Sequence, residues 1–144
     1  MKLGRLNHIG IAVPSIADAT AHYRDVLGAT DITAPFDMPE QGVKVCFVNT
    51  PCQGDGAGTQ IELIEPLGDT SPLAAFLARN PAGGQHHLCF EVPDIAAARD
   101  WFESQGKRIL GPTRLGAQGT PIFFLHPKDM LGQLTEIMET PRGH

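Results

Sequence analysis

Two stretches of this 144-residue chain carry one pattern, and that internal repeat restricts the fold more than any other feature. His8-Ile9-Gly10-Ile11-Ala12-Val13-Pro14-Ser15-Ile16 matches His87-Leu88-Cys89-Phe90-Glu91-Val92-Pro93-Asp94-Ile95 without a gap, 79 residues further on (87 − 8). Ala19 then meets Ala98, Tyr23 meets Phe102, and Gly28 meets Gly106 one residue out of step. Gln41-Gly42, ahead of Val45-Cys46-Phe47-Val48, matches Gln118-Gly119, ahead of Ile122-Phe123-Phe124-Leu125. Ile61-Glu62-Leu63-Ile64-Glu65 matches Thr135-Glu136-Ile137-Met138-Glu139. Four matches in the same order identify two copies of one supersecondary unit.

Each copy reads as βαβββ. Leu6 to Val13 is apolar and rich in β-branched residues, so it forms a strand that Pro14 ends. Ser15 is an N-cap with Asp18 three residues on, a variant of the capping box, and Ile16, Ala19, Tyr23 and Leu27 recur at helical spacing until Gly28. In the second copy Asp94 is the N-cap, Ile95, Ala98 and Phe102 form the stripe, and Gly106 is the stop. Three short strands follow each helix, near 30–34, 43–49 and 59–65, then near 107–111, 120–125 and 133–139. Ser71-Pro72 opens a linking helix that runs through Arg79, because Pro is favoured at the first helical position.

The expected architecture is α+β. Two tandem βαβββ modules close into an eight-stranded cup with helices outside, since a lone four-stranded sheet leaves open edges and a bare face. Residues 1–144 form one domain, with module one at about 5–67, a linker helix at 71–80 and module two at about 84–140. A net charge of −5 argues against nucleic acid or an anionic membrane as partner, because both select clustered Lys and Arg. No run is apolar for long enough to span a bilayer, and no signal-like leader precedes Leu6, so a cytoplasmic protein is expected. The cysteines Cys46, Cys52 and Cys89 lack CxxC spacing and give neither a disulfide framework nor a zinc knuckle; Cys46 and Cys89 read as small buried hydrophobes.

Alternation along the strands singles out four polar residues. His8 shares a face with the small Gly10 and Ala12, opposite the bulky face expected under the helix. Glu62 lies inward on the fourth strand, and His87 and Glu136 repeat both placements. Two imidazoles and two carboxylates suit one first-row divalent ion with positions left for substrate, and two ionised Glu neutralise its charge. Glu65 and Glu139 fall on the opposite face and are expected to be solvated. His86 points away from the site, while His22 and His144 have no part in it.

Leu6-Asn7-His8-Ile9-Gly10-Ile11-Ala12-Val13, Glu40-Gln41-Gly42-Val43, Ile61-Glu62-Leu63-Ile64-Glu65-Pro66-Leu67, Gly83-Gly84-Gln85-His86-His87, Phe124-Leu125-His126-Pro127-Lys128-Asp129 and Gly132-Gln133-Leu134-Thr135-Glu136 together resemble the methylmalonyl-CoA epimerase family of the vicinal oxygen chelate, glyoxalase I-like superfamily. The resemblance runs from Gly4 to about Glu139. It implies interconversion of (R)- and (S)-methylmalonyl-CoA, with ethylmalonyl-CoA as a second substrate, and a homodimer. It also implies that His8, Glu62, His87 and Glu136 ligate the metal, with cobalt or manganese the usual ion and zinc or nickel compatible.

Such an α-proton, between a thioester and a carboxylate, is weakly acidic, and its removal needs a Lewis acid on the oxygens and a base at the carbon. Glu136 is expected to serve as ligand and as one proton-transfer group. Some members carry a second catalytic Glu three residues beyond the Gly of Gln-Gly-Val, where this chain has Val45. That role then falls to a metal-bound water or to Glu62; Lys44 is on the wrong face, while Glu40 and Gln41 are on a loop that could reach the cup, where Gln41 cannot act as a base. Lys128 is the expected contact for a coenzyme A phosphate, as a mobile point charge. The rival readings are a lactoylglutathione lyase of the glyoxalase I type, with a glutathione handle, an extradiol dioxygenase, which the second Glu disfavours, and a metal-free binding protein of the same fold, for which the four polar residues have no use.

Overall fold

The computed structural model describes residues 1–52, 54 and 56–142, so His144 lies outside it. The chain divides into two compact units, one of Met1–Asn7 with His87–His144 and the other of His8–His86. Each is built on one copy of the repeat.

In the His8–His86 unit, β1 (Leu6–Ala12, entering from the other unit) leads to α1 (Ile16–Asp25), β2 (Phe36–Met38), β3 (Val43–Asn49), β4 (Gln60–Pro66) and α2 (Pro72–Arg79). The strands stand in the order β2-β3-β4-β1, with β1 and β4 parallel and the other pairs antiparallel. Val13, Ile16, Cys46, Val48 and Leu63 form the core under α1, with Ile11, Ala19, Tyr23 and Ile61 packed around them. These are the odd residues of β1 and β4 and the even residues of β3, as the pleat requires.

The other unit follows the same plan with β5 (Gly84–Val92), α3 (Ile95–Ser104), β6 (Ile109–Leu115), β7 (Pro121–Leu125) and β8 (Thr135–Glu139), ordered β5-β8-β7-β6. Here β5 and β8 are the parallel pair. Val92, Ile95, Ala98, Phe102, Phe123, Leu125 and Ile137 pack under α3. The α+β class and the two βαβββ halves agree with the sequence reading.

The helix starts agree in detail. The Ser15 side chain accepts from the Asp18 N–H at 3.1 Å, and Asp94 accepts from the Ala97 N–H at 3.0 Å. Three expectations are corrected. The first concerns the stretch at 30–34, which is no strand. Asp31 and Thr33 bond to Asn49 and Phe47, but Ile32 makes only an isolated bridge to Val48. Pro35 has no N–H to continue the ladder, so pairing resumes only at Phe36. The second is Leu27, which lies beyond the end of α1 and is 63% exposed instead of completing the core stripe.

The third correction bears on the site. Glu65 and Glu139 are half-buried and not merely solvated. Glu65 accepts from the Ile16 N–H at 2.7 Å and Glu139 from the Ile95 N–H at 3.1 Å. Each carboxylate thus satisfies an orphan donor at the first turn of its helix, where the dipole also favours negative charge. Glu65→Ala and Glu139→Ala should each destabilise the fold by about 0.5–2 kcal/mol, the range for a lost N-terminal cap, in urea unfolding followed by circular dichroism. An unchanged midpoint in both would show that the bonds contribute nothing.

Candidate metal centre

Each unit brings its own His and Glu together. In one, His8 Nε2 lies 3.5 Å from Glu62 Oε2; in the other, His87 Nε2 lies 3.2 Å from Glu136 Oε1. All four residues are buried, with His8 and His87 at 2% exposure, Glu136 at 5% and Glu62 at 6%. Ionisable side chains seldom go inside unless their charge is met by a partner. The ladders explain the meeting. Gln60 is the register partner of His8, so Glu62 is its diagonal neighbour two residues along the parallel strand. Glu136 pairs with Cys89, two residues beyond His87, which repeats the diagonal. The pleat puts each Glu on the same face as its His.

Both pairs also have the same aromatic wall. The His8 ring meets Phe47 edge-on at 6.2 Å, and the His87 ring meets Phe124 edge-on at 5.6 Å. Phe47 and Phe124 are repeat mates standing opposite Glu62 and Glu136 in their antiparallel ladders. The alignment contained this signal, but an aromatic in an apolar strand reads as core until its neighbours are known. The donor set of each half, one imidazole nitrogen against one carboxylate oxygen in a buried setting, fits a borderline divalent cation.

The model of the Glyoxalase/Bleomycin resistance protein/Dioxygenase superfamily matches residues 7–124. An ethylmalonyl-CoA/methylmalonyl-CoA epimerase of Cereibacter sphaeroides is 51% identical over 137 residues, covering 94% of this chain and 97% of that protein. The mitochondrial methylmalonyl-CoA epimerase of Homo sapiens is 45% identical over 136 residues, covering 94% of this chain and 73% of the human one. The chain belongs to the methylmalonyl-CoA epimerase family of this superfamily. Among solved structures, a Streptomyces coelicolor methylmalonyl-CoA epimerase variant in complex with 2-nitronate-propionyl-CoA superposes with a TM-score of 0.88 at 32% identity, covering 98% of this chain and 100% of that one. A methylmalonyl-CoA epimerase in complex with methylmalonyl-CoA and NH4+ gives 0.87 at 33% identity, covering 96% of each.

Set beside the family pattern, Val45 is 1% exposed and stands opposite Ile64 on the face that carries Phe47 and Glu62. No proton can be held there. Lys44, paired with Glu65, is on the other face, and Glu40 is exposed on the 3-10 turn Pro39–Gln41. His86 packs edge-on against Phe76 of α2 at 5.2 Å, and His22 is exposed.

The His-Pro-Lys segment that marks the family forms a second 3-10 turn, Pro127–Asp129. His126 Nδ1 caps it by accepting from the Lys128 N–H at 3.0 Å, which leaves the ring proton of a neutral His126 on Nε2. Lys128 itself is exposed. Arg108 holds Asp129 in a fork, with Nε to Oδ2 at 2.9 Å and a terminal nitrogen to Oδ1 at 3.1 Å, while the Arg108 N–H donates to Oδ2 at 2.9 Å. Hydrogen bonds from the Arg108 side chain and backbone hold the Asp129 carboxyl well below the usual carboxylate range. Its folded value is depressed, so the stabilisation is present above the unfolded value near 4 and is lost as pH falls towards the folded one. In an NMR titration Asp129 should remain ionised at pH values where exposed carboxyls protonate, and Arg108→Ala should raise its value towards the ordinary range while the retained backbone N–H bond still holds it below. An ordinary titration in the native protein would contradict the fork.

Proposed function

We propose that this chain is an epimerase that interconverts (R)- and (S)-methylmalonyl-CoA and accepts ethylmalonyl-CoA, by removing the α-proton from one face and returning it to the other. The observation that carries the reading is the buried His–Glu pair, present once in each half at 3.5 and 3.2 Å. His8, Glu62, His87 and Glu136 would hold one divalent ion, with cobalt or manganese expected and zinc or nickel compatible with the same donors. When bound, the ion supplies Lewis acidity to the neighbouring oxygens of the substrate as charge moves onto them.

The chain's own groups handle the proton. Glu136 is assigned the α-proton on one side: Oε1 faces His87, and Oε2 is the atom proposed as base. Val45 closes the third-strand position to proton transfer, so the return is assigned to Glu62, the other repeat-matched carboxylate that shares a face with a His. Phe47 and Phe124 exclude water beside the two imidazoles, which strengthens every charge interaction there. The coenzyme A handle is supported by relatives whose structures hold methylmalonyl-CoA and a propionyl-CoA nitronate. Lys128 is the proposed phosphate contact, and the active form is proposed to be a cytoplasmic homodimer. Among the described residues no helix is long and apolar enough to cross a membrane.

Metal-loaded protein incubated with each stereoisomer of methylmalonyl-CoA in heavy water should place deuterium at the α-carbon and equilibrate the two forms. Turnover of the methylglyoxal–glutathione adduct without such exchange would transfer the chain to the lactoylglutathione lyase reading. Glu136→Gln keeps an amide oxygen for coordination but loses the basic one. It should retain metal at reduced affinity, by elemental analysis, while exchange falls by roughly 10²–10⁴-fold. Near-normal exchange in a metal-replete variant would remove Glu136 from proton transfer. Lys128→Ala should raise the Michaelis constant with little change in kcat at physiological salt; an unchanged constant would dismiss the phosphate contact.

A further inference from the structure

The two halves match in their His, Glu and Phe, but not in the residue between them. Gly10 is the ladder partner of Glu62 in one half, and its repeat mate Cys89 is the partner of Glu136 in the other. Cys89 follows His87 by two residues on β5, so its side chain projects to the same face. It is fully buried, and Sγ lies within 4.8 Å of a Glu136 carboxylate oxygen and 3.8 Å from Met138 Sδ. Packing against Ile122 and Met138 needs only the volume of a small apolar residue. Seating a thiol beside a buried carboxylate that already faces an imidazole is a different matter, because N, O and S donors then converge on one face of one sheet.

We propose that Cys89 is an additional donor of this centre, recruited when the ion is thiophilic and left protonated when it is hard. The inference rests on the reading that the His87–Glu136 pair holds a metal. Thiolate is the soft donor among those present, so cadmium and zinc select it while manganese and magnesium stay with oxygen and nitrogen. Binding is balanced without an oxidant: the metal–sulfur bond forms as the S–H bond breaks, and the proton passes to solvent. Oxygen and sulfur on a common ion, at about 2.1 and 2.3 Å from it, stand roughly 3–3.6 Å apart, so a side-chain movement of about 1–2 Å completes the contact. A coordination position taken by sulfur is withheld from the substrate. Cys89 therefore sorts ions into those that leave room for the acyl group and those that block it.

The test titrates cadmium ion alone into the metal-stripped full chain, following the ultraviolet thiolate-to-cadmium charge-transfer band, with manganese binding measured in parallel by electron paramagnetic resonance. One equivalent of cadmium should raise the band. Cys89→Ala and Cys89→Ser should both abolish it and weaken cadmium binding about tenfold or more, with manganese affinity unchanged within about threefold. Cys46→Ser and Cys52→Ser should keep the band. Cadmium bound by the native chain without the band, or a band that survives in both Cys89 variants, overturns the role of Cys89 and leaves the His–Glu centre standing. Failure of the native chain to bind either ion overturns both readings.

Discussion

The parallel ladder between the first and last strand of each half is the constraint on which the centre depends. Gln60 opposite His8, and Cys89 opposite Glu136, set a register in which each Glu is the diagonal neighbour of its His. A slip of one residue would turn Glu62 or Glu136 to the helix side and bury a carboxylate among Val13, Ile16 and Cys46, or their counterparts under α3. Hydrophobic patterning forbids that slip, because Leu63 and Ile137 would move the opposite way. The chemistry of the centre is thus held in place by the apolar residues on the reverse of the same strands.

That reverse face carries a second use of the motif. Glu62 and Glu65, like Glu136 and Glu139, lie three positions apart, an odd offset that sends the two carboxylates to opposite sides of the sheet. One faces an imidazole, and the other accepts the first backbone N–H of a helix at 2.7 or 3.1 Å. Capping this N–H fastens α1 to β4 and α3 to β8, the strands that carry the inward Glu. The same Glu-x-x-Glu spacing, repeated in both halves, therefore supports the helix packing and the His–Glu pairs together.

Much of this was legible in the sequence because it depends on period and repetition. The repeat gave the two βαβββ halves, the alternation gave His8, Glu62, His87 and Glu136 their common faces, and Ser15 and Asp94 marked the helix starts. What was not legible depends on contacts between distant segments. A Glu on the outward face of a strand reads as solvated unless one knows that the start of a helix passes above it. Pairing at residues 31–33 looked like a strand, but the sequence does not show how far a neighbour can follow before Pro35 ends it. Phe47 and Phe124 were visible as a matched pair, yet only the ladder reveals that each stands beside a His.

The differences between the halves follow from the same reasoning. Ala12 is fully buried, and its repeat mate Glu91 is nearly so, at 3% exposure. A buried carboxylate needs donors, and the segment before His8 supplies them. Arg5 Nε reaches Glu91 Oε2 at 2.7 Å and Asn7 Nδ2 reaches the same oxygen at 2.8 Å, while Gln118 Nε2 donates to Asn7 Oδ1 at 2.7 Å. The Gly4 N–H and the Glu91 carbonyl add a backbone bond at 2.7 Å. These contacts explain why Met1–Asn7 belongs with His87–His144 although His8, the next residue, belongs elsewhere. The residue that distinguishes the copies thereby fixes the chain one position before the first imidazole. Removing the Glu91 carboxylate would take one acceptor from the exposed Arg5 guanidinium, which turns to water, and one from the buried Asn7 amide, which keeps Gln118 Oε1 at 3.4 Å, so the local cost falls on Asn7 and stays within about 1–3 kcal/mol. Divergence between the repeats has altered the surroundings of the His–Glu pairs while the pairs themselves stay matched.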